Sequence, residues 1–278
     1  IFFFTMAKSS KRRQTNTGTT AKKQLKRILA HANAQSNPLA TLPSAFRTVN
    51  IAPRKNSAGE TNNNDDAPTT KSATIHYYKS PLPESLLKQC LDLFQANMGD
   101  MYRKSEWGLD MEEKKKELLH EDARFLIIML NDAHDGEGCG VNDTHDNADN
   151  DNAATNPNNP QQKVVIGFAH FRYEPDEDSP HNPLSPITYL YELQISHSFT
   201  SHGLGRTLMT LVELLSMQLS MTKVILTVFK CNMGAMRFYL NKLKGYDVDE
   251  CSPSNFEGEE DIVDYEILSK RIMSGNKS

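Results

Sequence analysis

Cysteine is scarce and scattered. The four present, Cys90, Cys139, Cys231 and Cys251, form no CxxC pair and match no paired histidine spacing. Neither a disulfide framework nor a zinc site is indicated, no metal is expected, and a reducing, intracellular compartment fits. Long apolar runs are lacking too. The one at the start, Ile1–Phe4, is far shorter than the ~20 residues of a membrane span or the ~7–15 of a signal-peptide core. No membrane partner is expected, and Met6 is read as the true start. A large charge of either sign is also missing, since the net charge is -4. Yet the stretch Lys8–Arg27 is strongly basic, so the acidic residues must be concentrated further along.

The apolar residues are unevenly spread over the 278 positions, which favours one domain shorter than the chain. Residues 1–72 read as a basic N-terminal arm with a short helix over Leu25–Leu39 and a disordered Asn/Asp/Thr-rich spacer, Asn56–Thr70. The arm suits contact with nucleic acid or an import receptor, or is simply a soluble tail. The folded domain is expected over 73–272, followed by a tail, 273–278. Inside it, residues 132–162 are rich in Asn, Asp and Gly and read as a disordered insertion at a hairpin tip, where added length costs little.

Within that domain Thr74–Tyr78 has strand composition, and Ser80-Pro81-Leu82-Pro83-Glu84 reads as a turn and helix start. Leu86, Leu87, Cys90, Leu91, Phe94 and Met98 recur at helical spacing, and a second helical stretch covers Glu112–Leu119. Strands are predicted over Arg124–Leu130, Val164–Tyr173, Ile187–Ile195, Lys223–Phe229 and Asp264–Leu268, with one helix opened by Gly203-Leu204-Gly205, its apolar face Leu208, Leu211, Val212 and Leu215, and another over Asn232–Leu243. This order describes a mixed α/β layer with a single central sheet.

The most informative motif is a strand followed by Thr200-Ser201-His202-Gly203-Leu204-Gly205 and then a helix. A glycine-bearing turn entering a helix offers unpaired N–H groups to an anion such as a pyrophosphate. The next strand ends near Asn232, ahead of Gly234, Ala235 and Tyr239, so a second strand end opens beside small and polar residues.

At these residues the sequence resembles the GNAT acetyltransferases, whose Arg/Gln-x-x-Gly-x-Gly/Ala loop wraps the CoA pyrophosphate between two splayed strands. Thr200 stands where Arg or Gln is usual. The resemblance implies the acyl-CoA N-acyltransferase fold, a mixed sheet with splayed strands flanked by helices, and acetyl-CoA as cosubstrate. It places cofactor contacts on Leu193, Gln194 and Ile195, on Ser201, His202, Gly203, Leu204, Gly205 and Arg206, and on Asn232. From Tyr102 to Arg271 the chain is similar to the NatD-type enzymes, which acetylate the N-terminal serine of histone tails. Ser105-Glu106-Trp107-Gly108, Phe171-Arg172-Tyr173, Tyr189-Leu190-Tyr191-Glu192, Leu226-Thr227-Val228-Phe229-Lys230 and Tyr265-Glu266-Ile267-Leu268-Ser269 carry that similarity in order, and Asn37–Phe46 looks like its N-terminal extension.

By spacing alone Glu192 is an ordinary sheet carboxylate; the resemblance makes it the general base, acting directly or through one water. It also implies that the N–H of Leu193, or of a neighbour at a bulge, meets the charge building on the thioester oxygen. Tyr239 is either the acid that protonates the departing thiolate or a packing residue. Substrate walls are implied at Tyr102, Trp107, Tyr191, Thr227 and Tyr265, with Glu174 and Asp176 for the arginine of a Ser-Gly-Arg-Gly tail and Cys251 or Ser252 for a hydroxyl contact. A monomer acting on histone tails in nucleus and cytoplasm is expected. Acetyl transfer to lysine or small amines, or a non-catalytic chromatin binder, remain the alternatives.

Overall fold

The computed structural model describes residues 16–52, 70–131, 163–181, 184–256 and 263–272. Its centre is an eight-stranded sheet in the order β1-β2-β3-β4-β5-β6-β8-β7. The strands are β1 (Thr48–Ile51), β2 (Lys71–Lys79), β3 (Arg124–Leu130), β4 (Val165–Pro175), β5 (Pro186–Ile195), β6 (Lys223–Phe229), β7 (Asp247–Val248) and β8 (Tyr265–Arg271). All neighbours run antiparallel except β5 and β6, which are parallel. A parallel pair needs a long crossover, here supplied by α4 (Leu204–Gln218).

The period of two along β3 explains why its apolar run is continuous. Leu126 and Ile128 enter one core layer, with Leu208, Leu211, Val212 and Leu215 of α4, while Phe125, Ile127 and Met129 enter the other, with Leu86, Leu87 and Cys90 of α2 (Glu84–Lys104). A strand covered on both faces must be apolar on both. Helix α3 (Met111–Leu118) follows α2 and begins at Asp110, whose carboxylate accepts from the N–H groups of Glu112 (2.9 Å) and Glu113 (3.0 Å). It turns Lys114, Glu117 and Leu118 inward, the i, i+3, i+4 face of one helix. No described helix is long and apolar enough to cross a membrane.

The N-terminal boundary differs from the expected one. Helix α1 spans Asn16–Ala34 rather than Leu25–Leu39, and β1 adds an edge strand paired to β2. Residues 16–52 therefore belong to the domain that was expected to begin at 73. Leu25, Ile28, Leu29 and Ala32 lie at i, i+3, i+4 and i+7; Leu25 is buried, and Ile28, Leu29 and Ala32 join the core layer that includes α4. That spacing was legible, but the lysines between these residues masked it. Lys22, Lys23, Lys26 and Arg27 of the expected arm sit exposed on α1. Lys8–Arg13, the spacer through 69, the insertion 132–162 and the tail 273–278 lie outside the described residues.

The end of α1 is tied to the sheet by a buried cation. Arg124, 1% exposed, donates to Asn33 O (3.1 Å), Asn33 Oδ1 (3.2 Å) and Ala123 O (3.0 Å), and Lys79 Nζ donates to Asn33 O at 3.0 Å. These cations also complement the negative end of the helix dipole. Arg124→Leu should destabilise the protein by about 2–4 kcal/mol, because buried carbonyls lose charged donors. Urea unfolding followed by circular dichroism should show a lower midpoint at unchanged slope; an unchanged midpoint would mean that α1 is held without it.

Candidate functional site

The site forms where the one parallel pair comes apart. Strands β5 and β6 pair from Ile187↔Lys223 to Leu190↔Leu226 and no further. Beyond that, β5 stays on β4 as far as Gly167↔Ile195, and β6 stays on β8 as far as Phe229↔Tyr265. The divergence coincides with a bulge. Phe171 faces Leu190 and His170 faces Glu192, leaving Tyr191 as the extra residue. A bulge reverses which face later side chains occupy. Before it, Thr188 and Leu190 point to the α4 layer, where Thr188 Oγ1 lies 2.7 Å from Ser216 Oγ. After it, Leu193 and Ile195 take that side, while Glu192 and Gln194 turn toward α2 and α3. Without the extra residue, Glu192 would fall in the apolar layer beneath α4.

At the open end of the slot the chain turns through Ser201 (φ 66°) and Gly203 (φ 80°) into α4. The first bond of this helix runs from Thr207 N to Gly203 O (3.0 Å), so the N–H groups of Leu204, Gly205 and Arg206 are not used within it. A Cβ on Gly205 would lie 3.4 Å from the Phe238 ring and 4.0 Å from Ile195 Cγ1, which sets the helix start against the end of β5. A Cβ on Gly203 would meet nothing within 4 Å; glycine is there for its positive φ. From Ser196 to Val212 there is no carboxylate, and Arg206, His197 and His202 are present. The cradle therefore suits an extended polyanion such as a nucleotide pyrophosphate. Among the cofactor residues inferred from sequence, the ends of β5 and the loop Ser201–Arg206 come together here. Asn232 lies at the facing strand end and uses its Oδ1 to cap α5 (Met233–Arg237), accepting from Ala235 N at 3.1 Å.

Behind the slot is a buried polar cluster. Glu192, 5% exposed, accepts from Lys114 Nζ at Oε1 (2.7 Å) and from Gln194 Nε2 at Oε2 (2.8 Å). Lys114 Nζ also reaches Glu117 Oε1 at 2.8 Å and lies 4.6 Å from the centre of the Phe94 ring. Burial works to lower the Lys114 ammonium, but Glu192 and Glu117 outweigh it and hold it above its ordinary value. Burial raises the Glu117 carboxyl despite Lys114, with the Glu192 charge adding to the rise. Tyr239 occupies a π-helical turn, Phe238–Lys242, after α5 and packs between Phe238 and Tyr246. Its phenol is pushed above the usual range by burial and by the Glu192 charge.

The other side of the slot is aromatic. Trp107 stands 4.9 Å from Phe229 and 5.3 Å from Tyr265 between ring centres, and Tyr102 meets Phe229 at 5.2 Å. With Trp107 48% exposed, this wall opens to solvent. Thr227 shares a hydrogen bond with Tyr189, and Tyr191 donates to Glu174 at 2.8 Å. The acidic pair inferred from sequence is divided. The Glu174 side chain is 28% exposed, whereas that of Asp176 is 5% exposed and bound to Lys223 at 2.8 Å, an ammonium that Asp249 also contacts at 2.8 Å. Burial raises both carboxyls.

Cys251 and Ser252 are likewise separated. Ser252 is fully buried, donating to Glu266 and accepting from Ile267 N at 2.8 Å, while the half-buried Cys251 thiol donates to Asp249 at 2.8 Å. Sequence reasoning overlooked Lys114, Glu117, His170 and Lys223. Nothing local in Lys114-Lys115-Lys116 distinguishes the inward lysine, since Lys114 and Lys115 both stand at helical spacing to Leu118. Among the described residues no group of three or more His, Cys, Asp or Glu is arranged to hold a metal ion.

A family model described as "Acetyltransferase (GNAT) family" matches residues 92–246, more than half of the chain. Solved structures with a similar course include Arabidopsis thaliana NAA60 in complex with a bisubstrate analogue, at 13% identity and TM-score 0.45 over 72% of this chain and 100% of that one. The NatC complex bound to Gag peptide and CoA is similar at 14% identity and TM-score 0.43, covering 72% and 99%. The PaiA N-acetyltransferase of Thermoplasma acidophilum in complex with coenzyme A gives 15% identity and TM-score 0.40, covering 71% and 99%.

The different burial of the two neighbours predicts unequal costs. Ser252→Ala strands Ile267 N and removes one of the donors to the Glu266 carboxylate, and should cost about 1–3 kcal/mol. Cys251→Ala should cost less than about 1 kcal/mol, since a thiol is a weak donor. Thermal unfolding of the two variants checks this, and equal losses would contradict the ranking.

Proposed function

The chain belongs to the GNAT acetyltransferase family, and within it we propose an N-terminal acetyltransferase of the NatD type, acting on the serine amine of histone tails that begin Ser-Gly-Arg-Gly. The cosubstrate is acetyl-CoA, which supplies an activated acetyl thioester. The observation that carries the proposal is the position of Glu192, turned by the bulge to the α2 and α3 side at the point where β5 and β6 part, close to an open aromatic wall.

An α-amine has a pKa of about 8 and is mostly protonated at neutral pH, so a proton must leave before nitrogen can attack. Glu192 takes it, directly or through one water. The N–H of Leu193, on a stretch of β5 with no β6 partner, meets the charge building on the thioester oxygen. The Tyr239 phenol, raised by burial and by the Glu192 charge, keeps a proton available for the departing sulfur. The amine enters along Tyr102, Trp107, Tyr191, Thr227 and Tyr265. Glu174, the more exposed of the two acids, takes the substrate arginine. Asp176 contributes through its ion pair with Lys223, and Cys251 rather than the buried Ser252 borders the peptide. Histone tails as partners, contact with nucleic acid or an import receptor through the basic arm, a monomeric state, and residence in nucleus and cytoplasm belong to this same reading.

Acetyl-CoA turnover on a Ser-Gly-Arg-Gly peptide tests it against the same peptide with its α-amine blocked. Turnover is expected on the free amine only, reduced on the order of 100-fold or more in Glu192→Gln. Acetylation of the blocked peptide would redirect the assignment to lysine. Glu174→Gln should raise KM for this peptide about tenfold, the loss of one charged contact. The same variant should leave KM nearly unchanged for a peptide with alanine in place of arginine.

A further inference from the structure

We propose that Glu117 and Glu192 act as one proton-accepting unit joined by Lys114, so that the base is a pair of carboxylates sharing an ammonium rather than Glu192 alone. This rests on the reading of Glu192 as the base. Glu117 is a positioning residue here, acting on the reaction through Lys114.

Lys114 Nζ lies 2.7 Å from Glu192 and 2.8 Å from Glu117, and all three residues are at most 8% exposed. A buried pair of one lysine and one glutamate is neutral, and protonating its carboxylate would leave an uncompensated ammonium away from water. Such a pair is a poor base. With Glu117 added, the resting cluster carries one negative charge and becomes neutral on taking up a proton, which is the direction that burial favours. The second carboxylate therefore restores the proton affinity that Lys114 removes.

The surrounding groups leave this balance in place. From α2, Tyr102 contributes a ring 5.4 Å from Lys114 Nζ, and from β5 Gln194 contributes a neutral amide. From β4, Arg172 donates to the Glu117 carbonyl at 2.6 Å, lies 4.2 Å from the centre of the Tyr191 ring and has Glu174 at 4.0 Å; its charge is shared with Glu174 and acts on the Glu117 carboxyl less than Lys114 and Glu192 do. His170 is fully buried between Phe125 and Tyr191, 3.8 Å from Glu117, and burial, aided by Arg172, Lys114 and His120, keeps its ring neutral. Tyr239 on the π-helical turn is neutral as well. In turnover the substrate ammonium gives one proton to the pair. The nitrogen lone pair forms the C–N bond as the C–S bond breaks, the second N–H proton ends on sulfur as the thiol, and the held proton leaves to solvent.

The test follows kcat/KM against pH on the Ser-Gly-Arg-Gly peptide, together with carboxyl 13C NMR titration of the ligand-free protein, for wild type, Glu117→Gln, Lys114→Met and Glu192→Gln. The acid limb and the matching NMR titration should move down by roughly one pH unit in Glu117→Gln, which loses a like charge, and up by a similar amount in Lys114→Met. The two wild-type carboxyls should titrate in coupled steps. Independent titrations, with a Glu117→Gln limb that superimposes on wild type while Glu192→Gln is inactive, would overturn this inference alone. A fully active Glu192→Gln would overturn the base assignment and this inference with it. If Glu117→Gln does not fold, the upward shift in Lys114→Met decides, and its absence overturns the proposal.

Discussion

The rest of this molecule depends on two parallel strands that cannot stay together. Parallel pairing needs an evenly spaced ladder, and the extra residue at Tyr191 ends the β5–β6 ladder after Leu190 and Leu226. Strand ends with unpaired backbone groups are costly unless something occupies them. In this fold the opening is lined by the unused N–H groups at the start of α4, so the break in the sheet becomes a place for an anion. The same residue turns Glu192 from the apolar side of the sheet to the polar one. One bulge thus makes the slot and orients the carboxylate beside it.

Burying a carboxylate in that position would be unfavourable without the partner charge that the covering helices supply. Lys114 and Glu117 come from α3, which Asp110 caps and Leu118 anchors, and they meet Glu192 only because α2 and α3 fold onto the face opposite α4. A second buried trio, Lys223 with Asp176 and Asp249, closes the other end of the β5–β6 pair. Both clusters set one ammonium between two carboxylates. The first lies beside the point where β5 and β6 part, and the second ties β6 to the segment between β7 and β8, leaving Glu174 as the more exposed acid.

The N-terminal residues show where local reading falls short. Leu25, Ile28, Leu29 and Ala32 have the spacing of a buried helix stripe, yet the surrounding lysines gave the segment the composition of a solvated arm. Besides that stripe, what ties it to the sheet is Arg124, 91 positions from Asn33, whose guanidinium donates to the Asn33 carbonyl and side-chain oxygen near the end of α1. A four-residue strand such as Thr48–Ile51 has too short a pattern to be recognised without the β2 edge it completes.

By itself the sequence determined what depends on neighbours along the chain. The strands from Arg124 to Phe229 follow from alternation and continuous apolar runs, the α4 face from its heptad-like leucines, and the anion cradle from glycines ahead of a helix, because each is set by a period or a backbone angle. Tertiary structure alone decided which of three successive lysines is buried, that Asp176 is bound to Lys223 while Glu174 is more open, and that Ser252 is a fastener within the fold. Those outcomes are settled by charges meeting across elements distant in sequence, and in a low-dielectric interior the partner a group finds outweighs anything its own neighbours specify.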